Sequence, residues 1–214
     1  MYESVSEIIS LGLAGPLRRR AIARIRPARA GWTLDSGAGP GVASRMMIDN
    51  GFRKIAAVDP SRKLLEYAKI ALGEEEIHPV IAVAENLPFR EEVFAGAITC
   101  FSLRDVRNTD QSLREFRRIL KRGSMLEIVD VGKPDSLFLR AATRVYISIV
   151  MPLLTRALIS GRLRGNPFEM IIPTFRRLQT NNTLVHLVKD VFHSSTLQEF
   201  LFGSLIILEA KRLD

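Results

Sequence analysis

Apolar positions recur along this chain in two periods, and the alternation between them predicts its elements. Apolar runs too short for a helix occupy Trp32 to Ser36, Lys54 to Val58, Ile77 to Val83, Ala95 to Phe101 and Met125 to Val131. The run from Ala95 is continuously apolar, as expected of a strand buried on both faces. Amphipathic stretches lie between these runs. A helix from Val42 stops near Asn50-Gly51, and another opens at Asp59-Pro60-Ser61 and reaches Leu72-Gly73. A third, Thr109 to Leu120, aligns Leu113, Phe116, Ile119 and Leu120 on one face before a turn at Lys121-Arg122-Gly123. Ahead of the first strand, Glu3 to Ile9 and Pro16 to Ile25 read as two helices separated by Leu11-Gly12-Leu13-Ala14-Gly15.

Alternating strands and helices imply right-handed crossovers, hence an α/β chain with a doubly wound, mostly parallel sheet. The pattern then changes. Pro134 to Leu178 is helical without strands, broken by Pro152, Pro167 and Pro173. Ser195 to Leu201 and Ser204 to Ala210 follow as a pair of strands about Gly203, which makes them antiparallel and brings the sheet to seven strands. The expectation is one domain over residues 1–214, with N-terminal helices in 1–30 and a helical cover in 134–180 inserted after strand five. Leu137, Phe138, Val145, Tyr146, Ile149, Val150, Leu153, Leu154 and Leu158 give that cover more apolar surface than one helix needs. It reads either as a substrate pocket or as core and a homodimer interface.

The net charge of +8 changes the picture little. The basic residues are scattered in clusters such as Arg18-Arg19-Arg20, Arg117-Arg118 and Arg176-Arg177, with no aromatic-rich nucleic-acid module beside them. They read as solvated helix faces or as attraction to an anionic membrane surface, not as a nucleic-acid site. The single cysteine, Cys100, allows no intramolecular disulfide and fits a reducing interior. Arg140, Arg144 and Arg156 interrupt the longest apolar stretch, so it is not a membrane span, and the first residues lack a signal layout. The expected location is cytoplasmic, with peripheral membrane contact.

The chemistry is concentrated where the first run turns into its helix, at Leu34-Asp35-Ser36-Gly37-Ala38-Gly39-Pro40-Gly41. Glycines there let backbone approach a ligand, and Asp59 falls about twenty residues on, where nucleotide folds place the carboxylate that holds ribose hydroxyls. The spacing is G-x-G-x-G rather than the dinucleotide G-x-G-x-x-G. Asp35 would repel a pyrophosphate and suit a ligand carrying an ammonium and a sulfonium. S-adenosyl-L-methionine is such a ligand; a plain tight turn is the alternative.

These features resemble class I S-adenosylmethionine-dependent methyltransferases with a Rossmann-like fold. More narrowly, the chain is similar to the ubiquinone/menaquinone biosynthesis C-methyltransferases, over nearly its whole length. Ala84-Glu85-Asn86-Leu87-Pro88-Phe89 resembles the family's A-E-x-L-P-F, and Phe101-Ser102-Leu103-Arg104-Asp105-Val106 its F-G-L-R-N-V. Tyr2-Glu3 through Ser10-Leu11-Gly12 is similar to its Y-D-x-x-N-D-x-x-S-x-G. Two departures stand out: Val83 replaces an adenine-bonding Asn or Asp, and Asp105 replaces Asn.

The resemblance implies methyl transfer to a ring carbon of a lipid-soluble quinol. Asp35, Ser36, Gly37, Ala38, Gly39 and Gly41 would hold the methionine end of the cofactor, and Asp59 its ribose. Pro60 and the Ala84, Glu85 and Asn86 backbone would flank the adenine, while Cys100 and Phe101 would face the sulfonium. Arg104, Asp105 and Tyr2 would surround the reacting ring. Arg104 would stabilise a phenolate, and Asp105 would act as proton acceptor or as an ion-pair partner. Other readings are methylation of another small molecule, lipid or RNA, and a non-catalytic cofactor-binding scaffold. No Cys/His cluster implies a metal, and His78, His186 and His193 read as structural.

Overall fold

The computed structural model describes residues 10–25, 31–73, 76–153 and 171–214. Its strands are β1 (Trp32–Ser36), β2 (Ile55–Asp59), β3 (His78–Ile81), β4 (Phe94–Cys100), β5 (Leu120–Val131), β6 (Thr196–Phe200) and β7 (Leu205–Lys211). They form one seven-stranded sheet in the order β3-β2-β1-β4-β5-β7-β6. The first five run parallel, and β7 is antiparallel to both β5 and β6. The strand order reverses between β1 and β4, so a crevice opens at their carboxyl ends, where open α/β sheets bind ligands.

The helices are α1 (Ala14–Arg24), α2 (Val42–Asp49), α3 (Arg62–Leu72), α4 (Thr109–Ile119), α5 (Leu137–Val145), α6 (Ile171–Arg177) and α7 (Asn181–Phe192). Period-two alternation along the strands divides the core between the two faces. Ile55, Ala57, Ile98 and Val129 pack with α1 to α3, whereas Ala56, Val58, Ala97 and Ile128 pack with α4 and α7. α5 continues into a π-helical turn, Tyr146–Val150; Ile147 and Met151 of this segment and Phe175 of α6 join the α1–α3 side of the core. No helix among the described residues is long and apolar enough to cross a membrane.

Differences from the sequence-based boundaries are local. β5 begins at Leu120, opposite Phe94, but regular pairing resumes only at Met125 opposite Gly96. The exposed Lys121, Arg122 and Gly123 bulge outward between them, so the expected turn exists inside the strand. β3 is shorter than the apolar run, and Val83 forms an isolated bridge to Asn86. The β6–β7 connection takes three consecutive positive-φ residues, Leu201, Phe202 and Gly203. The expected helix Glu3 to Ile9, Tyr2, and the cover's middle, including Leu154 and Leu158, lie outside the described residues.

One carboxyl is buried far from the crevice. Glu127 is fully buried on β5 opposite Glu209, and neither of its oxygens has a hydrogen-bond partner. Glu209 is paired to Arg24 at 2.9 Å. Burial, and secondarily the Glu209 charge, push Glu127 up to about 9. The folded protein therefore holds this proton while the unfolded chain releases it near the ordinary carboxyl value. The stability it contributes is complete at low pH and is lost as pH rises toward 9. Glu127→Gln is expected to melt on the order of 5 °C higher than the parent at pH 8 and nearly level with it at pH 5. Thermal scans at the two pH values test this; equal shifts at both would contradict a buried proton at Glu127.

Candidate functional site

The turn between β1 and α2 is bonded into the sheet edge. Gly37 and Ala38 donate their amides to the Val58 carbonyl at 2.8 and 2.9 Å, and Gly41 donates to Ala38 at 2.9 Å. Gly39 donates to Asp59 Oδ2 at 2.9 Å. A phosphate cradle needs such amides free. Here they are already used, which argues against a pyrophosphate ligand on structural grounds. Gly37 has φ +70°, and a Cβ there would fall on the Ser102 side chain. The Ser102 hydroxyl donates to the Ser36 carbonyl at 3.0 Å and shares a 2.7 Å hydrogen bond with Thr99. The absent Cβ therefore lets the segment after β4 close onto the turn after β1.

Two carboxylates flank this turn. Asp59 accepts from Gly39 and, through Oδ1, from the Ser61 amide at 2.8 Å. Each oxygen keeps acceptor capacity for a second donor. Asp35 is buried and accepts from Ser44 Oγ at 2.6 Å. Burial pushes it up to about 6, against the opposing effect of the Ser44 hydrogen bond. A cationic ligand group beside Asp35 would favour its ionised form. An ammonium for Asp35 and a pair of hydroxyls for Asp59 match the donor groups of S-adenosyl-L-methionine.

At the end of β4 the chain reverses at Phe101, whose φ of +58° is strained for a residue with a side chain. Its amide donates to the Val129 carbonyl at 2.7 Å. This reversal sets a short 3₁₀ turn, Leu103–Asp105, over the sheet edge. Arg104 there turns back to Asp130 at the end of β5. Its amide donates to Oδ2 and its Nη1 to Oδ1, each at 3.2 Å. Arg104 Nε is buried without a hydrogen-bond partner and lies 3.8 Å from Asp105. The Asp105 side chain is 54% exposed, and its carboxyl is raised by desolvation against the pull of Arg104. Cys100 is half-buried, and desolvation drives its thiol strongly upward, so it is neutral.

The other expected residues are distributed around the same edge. Pro60 is exposed beside Asp59. The Glu85 carboxylate accepts from the Arg107 amide at 2.6 Å, and its carbonyl accepts from Gln111 at 2.9 Å. Its side chain and carbonyl thus fasten the Ala84-Glu85-Asn86 loop to the start of α4. Tyr2 lies outside the described residues. His78 stacks edge-on against Trp32, and His193 caps α7 in the left-handed conformation, away from this edge.

Two residues brought here were not anticipated. Asp130 stands near the end of the apolar run Met125 to Val131, and a lone carboxylate at that position was the available signal. Arg18 looked like part of a solvated arginine run. Yet the α1 stripe Ala14, Ala21, Ile22 and Ile25 contains position 18 at helical spacing, and Arg18 is only 3% exposed. Its guanidinium lies 4.8 Å from the Phe101 ring centroid, with Nε and Nη1 lacking hydrogen-bond partners.

Two cavities lie against Val131, the last residue of β5, which lines both. A polar one of about 450 Å³ is lined by Arg104, Asp105, Asp130 and residues of α4, α6 and α7. An apolar one of about 260 Å³ lies under α5 and is lined by Leu139, Ala142, Tyr146, Ile147, Leu205 and others. Among the described residues this apolar space lies against Val131, and neither Cys100 nor Phe101 lines it.

A model of the ubiE/COQ5 methyltransferase family matches residues 1–209. A ubiquinone/menaquinone biosynthesis C-methyltransferase of Bartonella tribocorum is 25% identical over 98% of this chain and 82% of its own length. A demethylmenaquinone methyltransferase of Mycobacterium tuberculosis is 26% identical over 98% of this chain and 86% of its own. Among solved structures, an S-adenosylmethionine-dependent methyltransferase of Thermotoga maritima superposes with a TM-score of 0.62 at 17% identity, covering 99% of this chain and 94% of that one. The Haemonchus contortus phosphoethanolamine N-methyltransferase 2, in complex with S-adenosyl-L-methionine, gives 0.63 at 16% identity over 86% of this chain and 38% of that one. At these identities the two structures bear on the fold alone.

Proposed function

The chain belongs to the ubiE/COQ5 methyltransferase family, and we propose that within it the protein methylates a ring carbon of a prenylated quinol. It is an S-adenosylmethionine-dependent methyltransferase by that membership. The observation that carries the substrate is the placement, on either side of Val131, of a polar cavity lined by Arg104, Asp105 and Asp130 and an apolar cavity under α5. An amphiphile with a hydroxylated ring and a hydrocarbon tail suits both halves. The relatives named for quinone substrates agree with this.

S-adenosyl-L-methionine supplies the electrophilic methyl group when bound. Asp35 would bind its ammonium and Asp59 its ribose hydroxyls, with the Gly37–Gly41 turn lying against it. Val83, exposed where relatives have an amide or acid, would offer the adenine an apolar contact. Carbon methylation requires a ring made electron-rich by a phenolate oxygen. Arg104 is the cation for that oxygen. Asp130 fixes its Nη1, while Nε remains a free donor facing Asp105. A fixed cation in a sheltered cavity stabilises developing charge without reorganising. Asp105 Oδ1 would then take the ring proton, its raised affinity for protons suiting a base. The arginines near the cover and the exposed Leu137 and Phe138 would let this face rest on an anionic bilayer, from which such a substrate is drawn.

The test is transfer of labelled methyl to reduced demethylated naphthoquinols with none or two isoprene units. Burying one unit contributes about 2 kcal/mol of apolar transfer. The prenylated quinol is therefore expected to react with at least tenfold higher kcat/KM, with label on a ring carbon. Equal kcat/KM for both would remove the tail from the substrate assignment, and label on oxygen would remove the carbon-methylation chemistry.

A further inference from the structure

Arg18 is a buried cation that the fold does not satisfy. The other well-buried arginines among the described residues have acceptors: Arg104 has Asp130, and Arg212 has Glu92 and three backbone carbonyls. Arg18, at 3% exposure, keeps Nε and Nη1 without any partner. The Phe101 ring beneath it returns only part of what a guanidinium loses on leaving water. Such a group is retained where an anion completes it.

Its place identifies the anion. α1 runs antiparallel to β4. Ile25, just past its far end, packs where a Cβ on Gly96 would stand, and Arg24 pairs with Glu209. Arg18, about two turns earlier on α1, therefore lies toward the carboxyl ends of β1 and β4. There its charge acts on both Asp35 and Cys100. A buried carboxylate held by Ser44 and a buried guanidinium whose Nε and Nη1 lack acceptors, with the neutral Cys100 thiol and the Phe101 ring beside it, thus share one corner of the crevice. That pair is complementary to an α-amino acid zwitterion, whose ammonium and carboxylate are separated by one carbon.

We infer that Arg18 binds the α-carboxylate of the cofactor's methionine moiety and so selects adenosyl ligands that carry an amino acid from those that do not. The inference rests on the glycine turn being the S-adenosyl-L-methionine site. Arg18 is then a binding residue whose effect grows with the ligand's carboxylate charge, and it has no part in proton transfer.

Calorimetric titration of the full chain tests this with three ligands: S-adenosylhomocysteine, its α-carboxamide analogue and 5′-methylthioadenosine, which lacks the amino acid. The parent protein is expected to bind S-adenosylhomocysteine at least tenfold more tightly than the carboxamide. Arg18→Met is expected to lose at least tenfold on S-adenosylhomocysteine and less than twofold on methylthioadenosine, with Arg18→Lys between parent and Met. A ligand-free melting transition like the parent's reports that each variant is folded. The carboxamide comparison needs no variant and stands even where Arg18→Met fails to fold. Equal affinity of the parent for acid and carboxamide would overturn the assignment, as would equal losses on S-adenosylhomocysteine and methylthioadenosine in a folded Arg18→Met. Failure of the parent to bind any of the three would overturn the cofactor site itself, a different result from failure of Arg18 alone.

Discussion

Arg104→Ala is expected to lower turnover by roughly 10²–10³ and also to cost stability, while the double variant Arg104→Ala/Asp130→Asn regains the stability and not the turnover. The two losses have different causes. Asp130 is buried at the end of β5, and its oxygens accept from Arg104 Nη1, the Arg104 amide and the Val131 amide. Burial already raises its affinity for a proton, chiefly against the Arg104 charge. Without that charge the carboxylate is stranded in a dry site, a loss of about 3–5 kcal/mol for a broken buried pair. For a chain of this size that is on the order of 10 °C in Tm. Asparagine at 130 removes the stranded charge and keeps an acceptor for one of the two amides. Turnover stays low in the double variant because the ring oxygen still lacks its cation. Melting curves and single-turnover methyl transfer on the three proteins separate the effects. A double variant with parental turnover would make Arg104 a structural partner of Asp130 and nothing more.

Asp59→Ala should weaken S-adenosylhomocysteine binding by about a hundredfold, the value of two charge-assisted hydrogen bonds lost together. The side chain has two duties. Its oxygens tie down the Gly39 and Ser61 amides, which shape the turn after β1 and the start of α3. The remaining acceptor sites are those assigned to the ribose. Asp59→Asn keeps one acceptor oxygen for the backbone and is expected to fall between parent and alanine. In calorimetric titration the alanine protein should also lose most of the thermal stabilisation that the ligand gives the parent. Parental affinity in Asp59→Ala would take this residue out of the site and leave it a loop clamp.

The readable parts of the candidate site were those whose signal is local. Gly37, Gly39 and Gly41 take positive φ because a strand must turn sharply into a helix there, and a chain of glycines at that spacing states as much. Asp35 and Asp59 sit at or beside the ends of apolar runs, so their delivery to one sheet edge follows once the runs are strands. Arg104 was legible through its neighbours in the Phe101–Val106 segment. Its binding partner was not, because Asp130 is far along the chain and meets it only through the β4–β5 pairing. Arg18 was misread because a run of three arginines suggests solvent, whereas the helical period of α1 turns the first of them inward and leaves Arg19 and Arg20 outside.

The order of strands in the sheet came from the structure, while the sequence pattern by itself determined the number and direction of the strands, the helices on both faces of the sheet, and the position of the glycine turn. Each of these depends on backbone conformation and on which face is apolar, both of which are written residue by residue. Only the tertiary structure decided which polar groups share a buried corner. Ser102 filling the space beside Gly37, Asp130 holding Arg104, Glu127 left with its proton and Arg18 left without an anion all depend on contacts between distant segments. The free energy of a buried charge is set by what surrounds it in space, and a single chain position carries no record of that surrounding.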